Sequence, residues 1–541
     1  MNLHLMYNCF MTKKLRPIIF YIIFFLFTLG FYVTADRYDY DLWARLIAGM
    51  GFVQTGHVLK QDFLSYTPTH TWFDHEWGSG VIFYLTHHFF SNVGILLLQA
   101  ILMFLIFFVL TKIVKLRGVK TTTPYNFLFY YFGFIAMSYL MSGPVRCQMF
   151  TFLFFAVYLY ILELARKGNF KILWALPMIM IVWNNLHGGC VSGIGLILIY
   201  IVGEFLNKKP VKQYLAPFVL TILVLPINPW GLEYIKFLIS AATMPRPDVM
   251  EWWGLFCKYY VLKFMKFKLF ALVLILAEFS VVIKQIISKT FDFDKTKFLA
   301  LAVTLFLAIQ HIKLIPLAVI VLTSFLYDDF YTVFNSITKN FFDKIVKIKE
   351  PIIYGFILIF ALSNISPRVF KPILTPGVYP VREIEFIKIN NIKGNLLLNF
   401  GLGSFASYKL YPDNKIFMDG RYEEVYYDYE MALFKKFFLV QDGWDEILDR
   451  FPPDVIIVEK FYPIFNTLKT GEIFIPYMDK NNLLAAKSSK ISHSHHWKLV
   501  FEDEYFGVFV EASKAKKHYK IPTTELKYYR DTLFDTKIKF K

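Results

Sequence analysis

Two aspartates separated by one tyrosine, Asp39-Tyr40-Asp41, are the residues of this chain whose type and spacing bear most directly on chemistry. Carboxylates two positions apart can act as a general base with an orienting partner, or can hold a hard divalent metal through oxygen ligands. The competing reading is structural, because an aspartate at a helix start caps free N–H groups and complements the helix dipole. A second group gathers near the ends of apolar runs: Arg146, His187, His311 and Lys313. A phosphate held at a membrane surface needs several such donors from different segments, so together these four form a candidate anion clamp. His75, Glu76, Asn185 and Glu251 lie in the same polar connections and are candidates for acceptor binding or support.

Other motifs carry less. His493, His495 and His496 form H-x-H-H within a serine- and lysine-rich stretch that reads as an exposed loop. Gly401-Leu402-Gly403-Ser404 follows a strand-like run, yet it lacks the lysine of a phosphate loop and the third glycine of a dinucleotide fingerprint. A tight strand-to-helix turn explains it better. Cys9, Cys147, Cys190 and Cys257 show no C-x-x-C spacing, which argues against a zinc site, an iron–sulfur site or a disulfide scaffold.

The elements that must position these residues are mostly hydrophobic. Of 541 residues 56% are hydrophobic and 19% aromatic, while only 18% are charged, which excludes an ordinary soluble globular protein and a disordered chain alike. Apolar runs able to cross roughly 30 Å of hydrocarbon number about eleven, near 17–35, 93–114, 125–143, 148–165, 172–186, 189–206, 213–228, 267–287, 298–311, 313–327 and 351–365. Lys and Arg fill every second connection, from Lys13, Lys14 and Arg16 through Arg166, Lys167 and Lys171 to Lys344, Lys347 and Lys349. By the positive-inside rule the N-terminus is then cytoplasmic, the C-terminus is outside, and the first run is an uncleaved helix of a multi-pass plasma-membrane protein. The net charge of +17 is thereby accounted for by topology, which leaves no nucleic acid among the expected partners. The candidate site residues all fall in the external connections, and ionisable groups gathered at one end of many helices imply a shared polar site.

The expected organisation is an α-helical polytopic membrane domain over 1–365, with a first external loop at 36–78, followed by an extracytoplasmic α/β domain over 366–541. In the latter, 395–399, 415–418 and 454–458 read as buried strands. Residues 404–410 and 429–451 read as helices, and 497–500 with 506–510 as a hairpin.

These residues resemble a known family. Asp39-Tyr40-Asp41-Leu42-Trp43, Asp62-Phe63-Leu64-Ser65-Tyr66-Thr67 and His75-Glu76-Trp77 look like the first external loop of a group of bacterial multi-pass proteins similar to GT-C glycosyltransferases. That superfamily includes protein O-mannosyltransferases and lipid A aminoarabinose transferases. Arg146-Cys147-Gln148, Trp183-Asn184-Asn185-Leu186-His187-Gly188-Gly189, Asn228-Pro229-Trp230-Gly231, Glu251-Trp252, Gln310-His311 and Phe417-Met418-Asp419-Gly420-Arg421 extend the likeness over most of the chain. The group has histidine where this chain has Arg45.

The resemblance implies a GT-C-like membrane domain and transfer of a sugar from a polyprenyl-phosphate donor to a saccharide, lipid or protein acceptor on the external face. Asp39 and Asp41 occupy the place of the acidic residue near the reaction centre, and a divalent metal held by them stays an open option. The rival readings are a transporter or flippase of lipid-linked saccharides and a noncatalytic assembly protein of cell-envelope glycan synthesis. Charged residues near the middle of spans and two repeated halves would mark the transporter, and this sequence has few of the former and no repeat.

Overall fold

The computed structural model describes residues 15–33, 38–119, 124–138, 145–247, 249–337, 354–356, 358–359, 377–478, 484–490, 497–522 and 535–540. His493, His495 and His496, and most of the run expected at 351–365, lie outside the described residues. The chain forms two compact units, one of Met1–Ala35 with Phe90–Phe370 and one of Asp36–Phe89 with Lys371–Lys541. The first loop therefore belongs to the same unit as the C-terminal residues, not to the helical unit in which the sequence reading places it.

The first unit is helical. Hydrocarbon offers no hydrogen bonds, so an apolar segment satisfies its own N–H and C=O groups by coiling. Among the described residues five helices are long and apolar enough to cross a membrane: Trp77–Leu116, Gln148–Arg166, Gly188–Leu206, Met265–Ile287 and Ile312–Phe334. Pro17–Phe31 and Phe170–Leu186 are shorter apolar helices, and Pro124–Ser138, Lys212–Leu223 and Lys295–Gln310 are helical where the sequence predicts spans. Trp77–Leu116 breaks at Ser91 (φ 53°, ψ −154°), so the apolar stretch expected at 93–114 starts just past the break. Several basic residues of the connections are neutralised in place. Arg166 meets Glu204 at 2.8 Å and Asp294 at 2.9 Å, and Lys297 meets Glu278 at 2.7 Å and Asp329 at 2.9 Å.

The second unit is built on a sheet. Its strands are β1 (Gly394–Leu397), β2 (Asn414–Ile416), β3 (Val455–Glu459), β4 (Glu472–Met478), β5 (Leu484–Lys490), β6 (Trp497–Glu502) and β7 (Phe506–Glu511). The order β2-β1-β3-β7-β6 makes one five-stranded sheet, parallel across β2, β1 and β3 and antiparallel beyond, while β4 and β5 form a separate hairpin. All of β3 is buried, as its unbroken run Val-Ile-Ile-Val requires of a central parallel strand. On one face Leu397, Ile456, Val458 and Phe509 pack with Phe434, Phe437, Ile464 and Phe465, and Trp72 of the first loop joins that core.

The loop also extends the sheet at its β2 edge. Tyr66 N–H donates to Ile416 O and Ile416 N–H donates to Leu64 O, each at 3.0 Å. Two details depart from the sequence reading. The helix expected over 429–451 is two helices, Asp428–Leu439 and Glu446–Arg450, separated where Val440 (φ 50°) and Gly443 (φ 72°) take left-handed conformations. Gly401 and Gly403 lie inside the helix Phe400–Leu410, which Asn399 caps by accepting from Gly401 N–H. A Cβ on Gly403 would come 2.3 Å from Met418 O, so glycine permits a close approach of this helix to the chain leaving β2.

Candidate active site

The first-loop aspartates sit at the carboxyl ends of the parallel strands. Asp39 Oδ1 accepts from Asp41 N–H at 3.1 Å, an Asx-type turn that starts the helix Leu42–Thr55. Asp41 holds the N-cap position, but its side chain makes no capping hydrogen bond. Its Oδ1 instead faces the turn after β2, at Gly420, and Tyr40 lies against Gly401 at the start of the helix that follows β1. Asp39 thus turns the chain into this helix, whereas the Asp41 side chain takes no part in capping it.

Behind them is a buried ion cluster whose centre is Arg45. Its guanidinium bonds Asp74, reaches Glu424 Oε2 at 3.0 Å and lies 3.5 Å from Glu76 Oε2, with the residue 3% exposed. His75 stands between carboxylates, with Nδ1 3.0 Å from Glu424 Oε1 and Nε2 3.6 Å from Glu76 Oε1. Burial opposes its protonation, but Glu424 and Glu76 outweigh burial and raise its pKa to about 9. Burial, with Glu424 nearby, pushes Asp74 up to about 6 despite Arg45, whereas Arg45 and His75 overcome burial to hold Glu424 well below the usual carboxylate range. His75, Glu76 and Glu424 place ligand atoms within 4.8 Å of one another, the one such grouping among the described residues, and Asp39 and Asp41 are not in it. A cation there would have to displace the imidazolium proton, since only neutral imidazole ligates.

The loop is anchored by a second buried group. Arg421, fully buried, bonds Asp419 at 2.9 Å and Asp62 at 2.6 Å, and stacks on Trp72 at 4.5 Å. Burial alone would raise the Asp62 carboxyl, and Arg421 reverses that shift to hold it below its ordinary value.

In the helical unit, Arg146, Glu251 and Lys313 line one cavity. Arg146 precedes the helix Gln148–Arg166, Lys313 precedes Ile315–Ile337, and Glu251 lies in the one-turn helix Met250–Trp252. Arg146 grips the Glu251 carboxylate with both terminal nitrogens, and Gln99, Gln148, Met149, Phe152 and Pro316 complete the lining of a cavity of about 20 Å³. Arg146 and Lys313 together draw Glu251 below the usual carboxylate range against the effect of burial. His311 is connected to this cavity through its neighbours, since its Nδ1 donates to Trp252 O at 2.7 Å and its ring packs edge-on to Trp252.

His187 is engaged elsewhere. Its Nδ1 accepts from Gly189 N–H at 2.9 Å and lies 2.7 Å from Thr151 Oγ1, which in turn accepts from Trp183 Nε1. With Nδ1 accepting, the ring proton is on Nε2 and the imidazole brings no positive charge. Asn185 bridges Ile181 O and Ile227 O, both at 2.8 Å, which fastens the chain before His187 to the next helix connection. An apolar cavity of about 550 Å³ lies among Pro124–Ser138, Met265–Ile287 and Ile315–Ile337, lined by Phe129, Phe270, Tyr327 and Phe330.

Arg45, Asp74 and Glu424 escape sequence reasoning. Arg45 reads there only as a departure from a family pattern, and the usable signal was the run Asp74-His75-Glu76 between Trp72 and Trp77. No family model matches this chain, and no curated protein matches it.

Proposed function

We propose that the chain is a GT-C-type membrane glycosyltransferase, transferring a sugar from a polyprenyl-phosphate donor to an acceptor on the external face of the plasma membrane. In this reading about eleven spans cross the bilayer, the N-terminus is cytoplasmic and the second unit is outside. The observation that carries it is the Arg146–Glu251–Lys313 cavity, where Arg146 already holds a carboxylate and a second cation from another helix start, Lys313, lines the same cavity and adds its field. A phosphate offers the same charge and geometry to a guanidinium, so donor binding exchanges the Glu251 carboxylate for the carrier phosphate. The apolar cavity among three helices offers room for hydrocarbon.

Asp39 or Asp41 takes the proton of the acceptor hydroxyl or amine, whose lone pair attacks the anomeric carbon as the bond to the phosphate oxygen breaks. Direct displacement inverts the anomeric centre. Arg146 and Lys313 offset the negative charge that grows on the departing phosphate. A divalent metal at Asp39 and Asp41 would assist by lowering the pKa of the acceptor group.

The test is transfer of labelled sugar from a polyprenyl-phosphate donor by purified protein, with a thermal melt of each variant. Asp39→Asn or Asp41→Asn keeps the side-chain shape and removes the base, so turnover falls by about 10² to 10⁴ at unchanged melting temperature. Near-normal turnover in both variants overturns the assignment and favours an assembly protein or a transporter.

A further inference from the structure

The strand order in the sheet of the second unit reverses between the parallel neighbours β1 and β3. The chain leaving β1 crosses to β2 on one side, and the chain leaving β3 continues to β6 and β7 on the other. Open sheets with that arrangement bind ligands in the crevice at the carboxyl ends of the two diverging strands. Here the crevice carries Asn399 after β1 and Glu459 with Tyr462 after β3. Asn399 Nδ2 donates to Glu459 Oε1 at 2.9 Å and to Tyr462 OH at 3.0 Å, while its Oδ1 caps the eleven-residue helix Phe400–Leu410. Glu459 is 7% exposed, and its Oε2 has no hydrogen-bond partner among the described residues. A buried acceptor left unpaired costs free energy comparable to a lost hydrogen bond, a cost that a donor brought by a ligand would remove.

We propose that this crevice is a binding site for a neutral pyranose saccharide, with Glu459, Asn399 and Tyr462 taking its hydroxyls. It concerns binding by the second unit alone and does not rest on the transfer reaction. Charge selects the ligand class. Asp41 stands beside Gly420, after the neighbouring strand β2, and Lys460, the nearest cation in sequence, is paired with Glu502 at 2.9 Å. Carboxylates repel a phosphate or uronate and accept from sugar hydroxyls, which are donors as well as acceptors. Burial raises Glu459 to about 7. Aromatic faces border the crevice. Tyr40 is 41% exposed beside Gly401, and Phe461, 76% exposed, lies 4.4 Å from the Tyr462 ring and can stack on the apolar face of a sugar.

The experiment uses the full chain in nanodiscs, so that no sugar-headed detergent competes. Binding of chitotetraose, mannotetraose and maltotetraose is measured beside tetragalacturonate, inorganic phosphate and a neutral sugar carried on polyprenyl phosphate. At least one neutral tetrasaccharide binds, and Glu459→Gln and Tyr462→Phe each weaken it roughly tenfold with the melting temperature unchanged. Phe461→Ala, at an exposed position, weakens it as well and decides the matter if a buried variant fails to fold. Binding of the lipid-linked sugar alone, lost in the same variants, keeps the site and assigns it to the donor. No neutral sugar bound at millimolar concentration, tighter binding of tetragalacturonate or phosphate, or equal binding by Phe461→Ala and wild type overturns the proposal.

Discussion

Asp41 Oδ1 lies 2.9 Å from the point a Cβ would occupy on Gly420, so the first-loop carboxylate and the turn after β2 fit together because residue 420 lacks a side chain. Gly420→Ala pushes the carboxylate aside by a few tenths of an ångström or more. If Asp41 is the base, misplacement on that scale lowers turnover by up to about 10²-fold while the melting temperature moves little. Labelled-sugar transfer by Gly420→Ala beside wild type checks it, and unchanged turnover places the base elsewhere.

Arg146 and Glu251 are expected to respond in opposite directions. Arg146→Ala removes a charge-assisted pair and weakens polyprenyl-phosphate binding by roughly ten- to hundredfold. Glu251→Gln removes the carboxylate that competes for the same guanidinium and tightens binding of the same lipid. Titration with polyprenyl phosphate in nanodiscs reads both, and weakening in both variants shows that Glu251 supports the site and does not compete for it.

His75 makes stability depend on alkaline pH. Its folded pKa of about 9 lies above the ordinary 6.5, so its contribution is fully present below 6.5 and is lost as pH rises through 9. The full shift corresponds to about 3 kcal/mol at most. Thermal melts between pH 6.5 and 9.5 should show a falling melting temperature in wild type and a flatter profile in His75→Gln. Parallel profiles rule out the imidazolium as the cause.

Asp62 and Arg421 join residues 359 positions apart in sequence, both essentially without exposed side-chain surface. Asp62→Ala leaves Arg421 with Asp419 but with half its counter-charge, which costs ~3 kcal/mol. A denaturant titration that follows the second unit's tryptophans should show that loss, and replacing Arg421 as well should not add to it in full.

Topology is tested with cysteines at exposed positions in a background without the native four. Gln61→Cys and Ser513→Cys should react with an impermeant thiol reagent in intact cells, and Lys115→Cys should be protected. Protection of both Gln61→Cys and Ser513→Cys reverses the proposed orientation.

The helices and the principal strands were legible in the sequence because each is dictated locally. A long apolar run has no way to satisfy its backbone in hydrocarbon except by coiling, and Asp454-Val-Ile-Ile-Val has the length and branching of a strand buried on both faces. The helix breaks at Ser91 and Val440 were not legible, because left-handed conformations at non-glycine residues are imposed by surroundings. The partners of charged residues were equally hidden. Arg45 reads as an isolated substitution until the fold brings Glu424 to it from 379 positions away, and nothing in either residue's own neighbourhood specifies that pairing. Asp39 and Asp41 look alike in sequence, and the structure separates them, with one carboxylate turning the chain into its helix and the other facing Gly420. Sequence determined which residues could do chemistry, since that follows from side-chain type. Tertiary structure decided which of them meet, because coulombic and hydrogen-bond energies depend on distances of a few ångströms that only the packed chain defines.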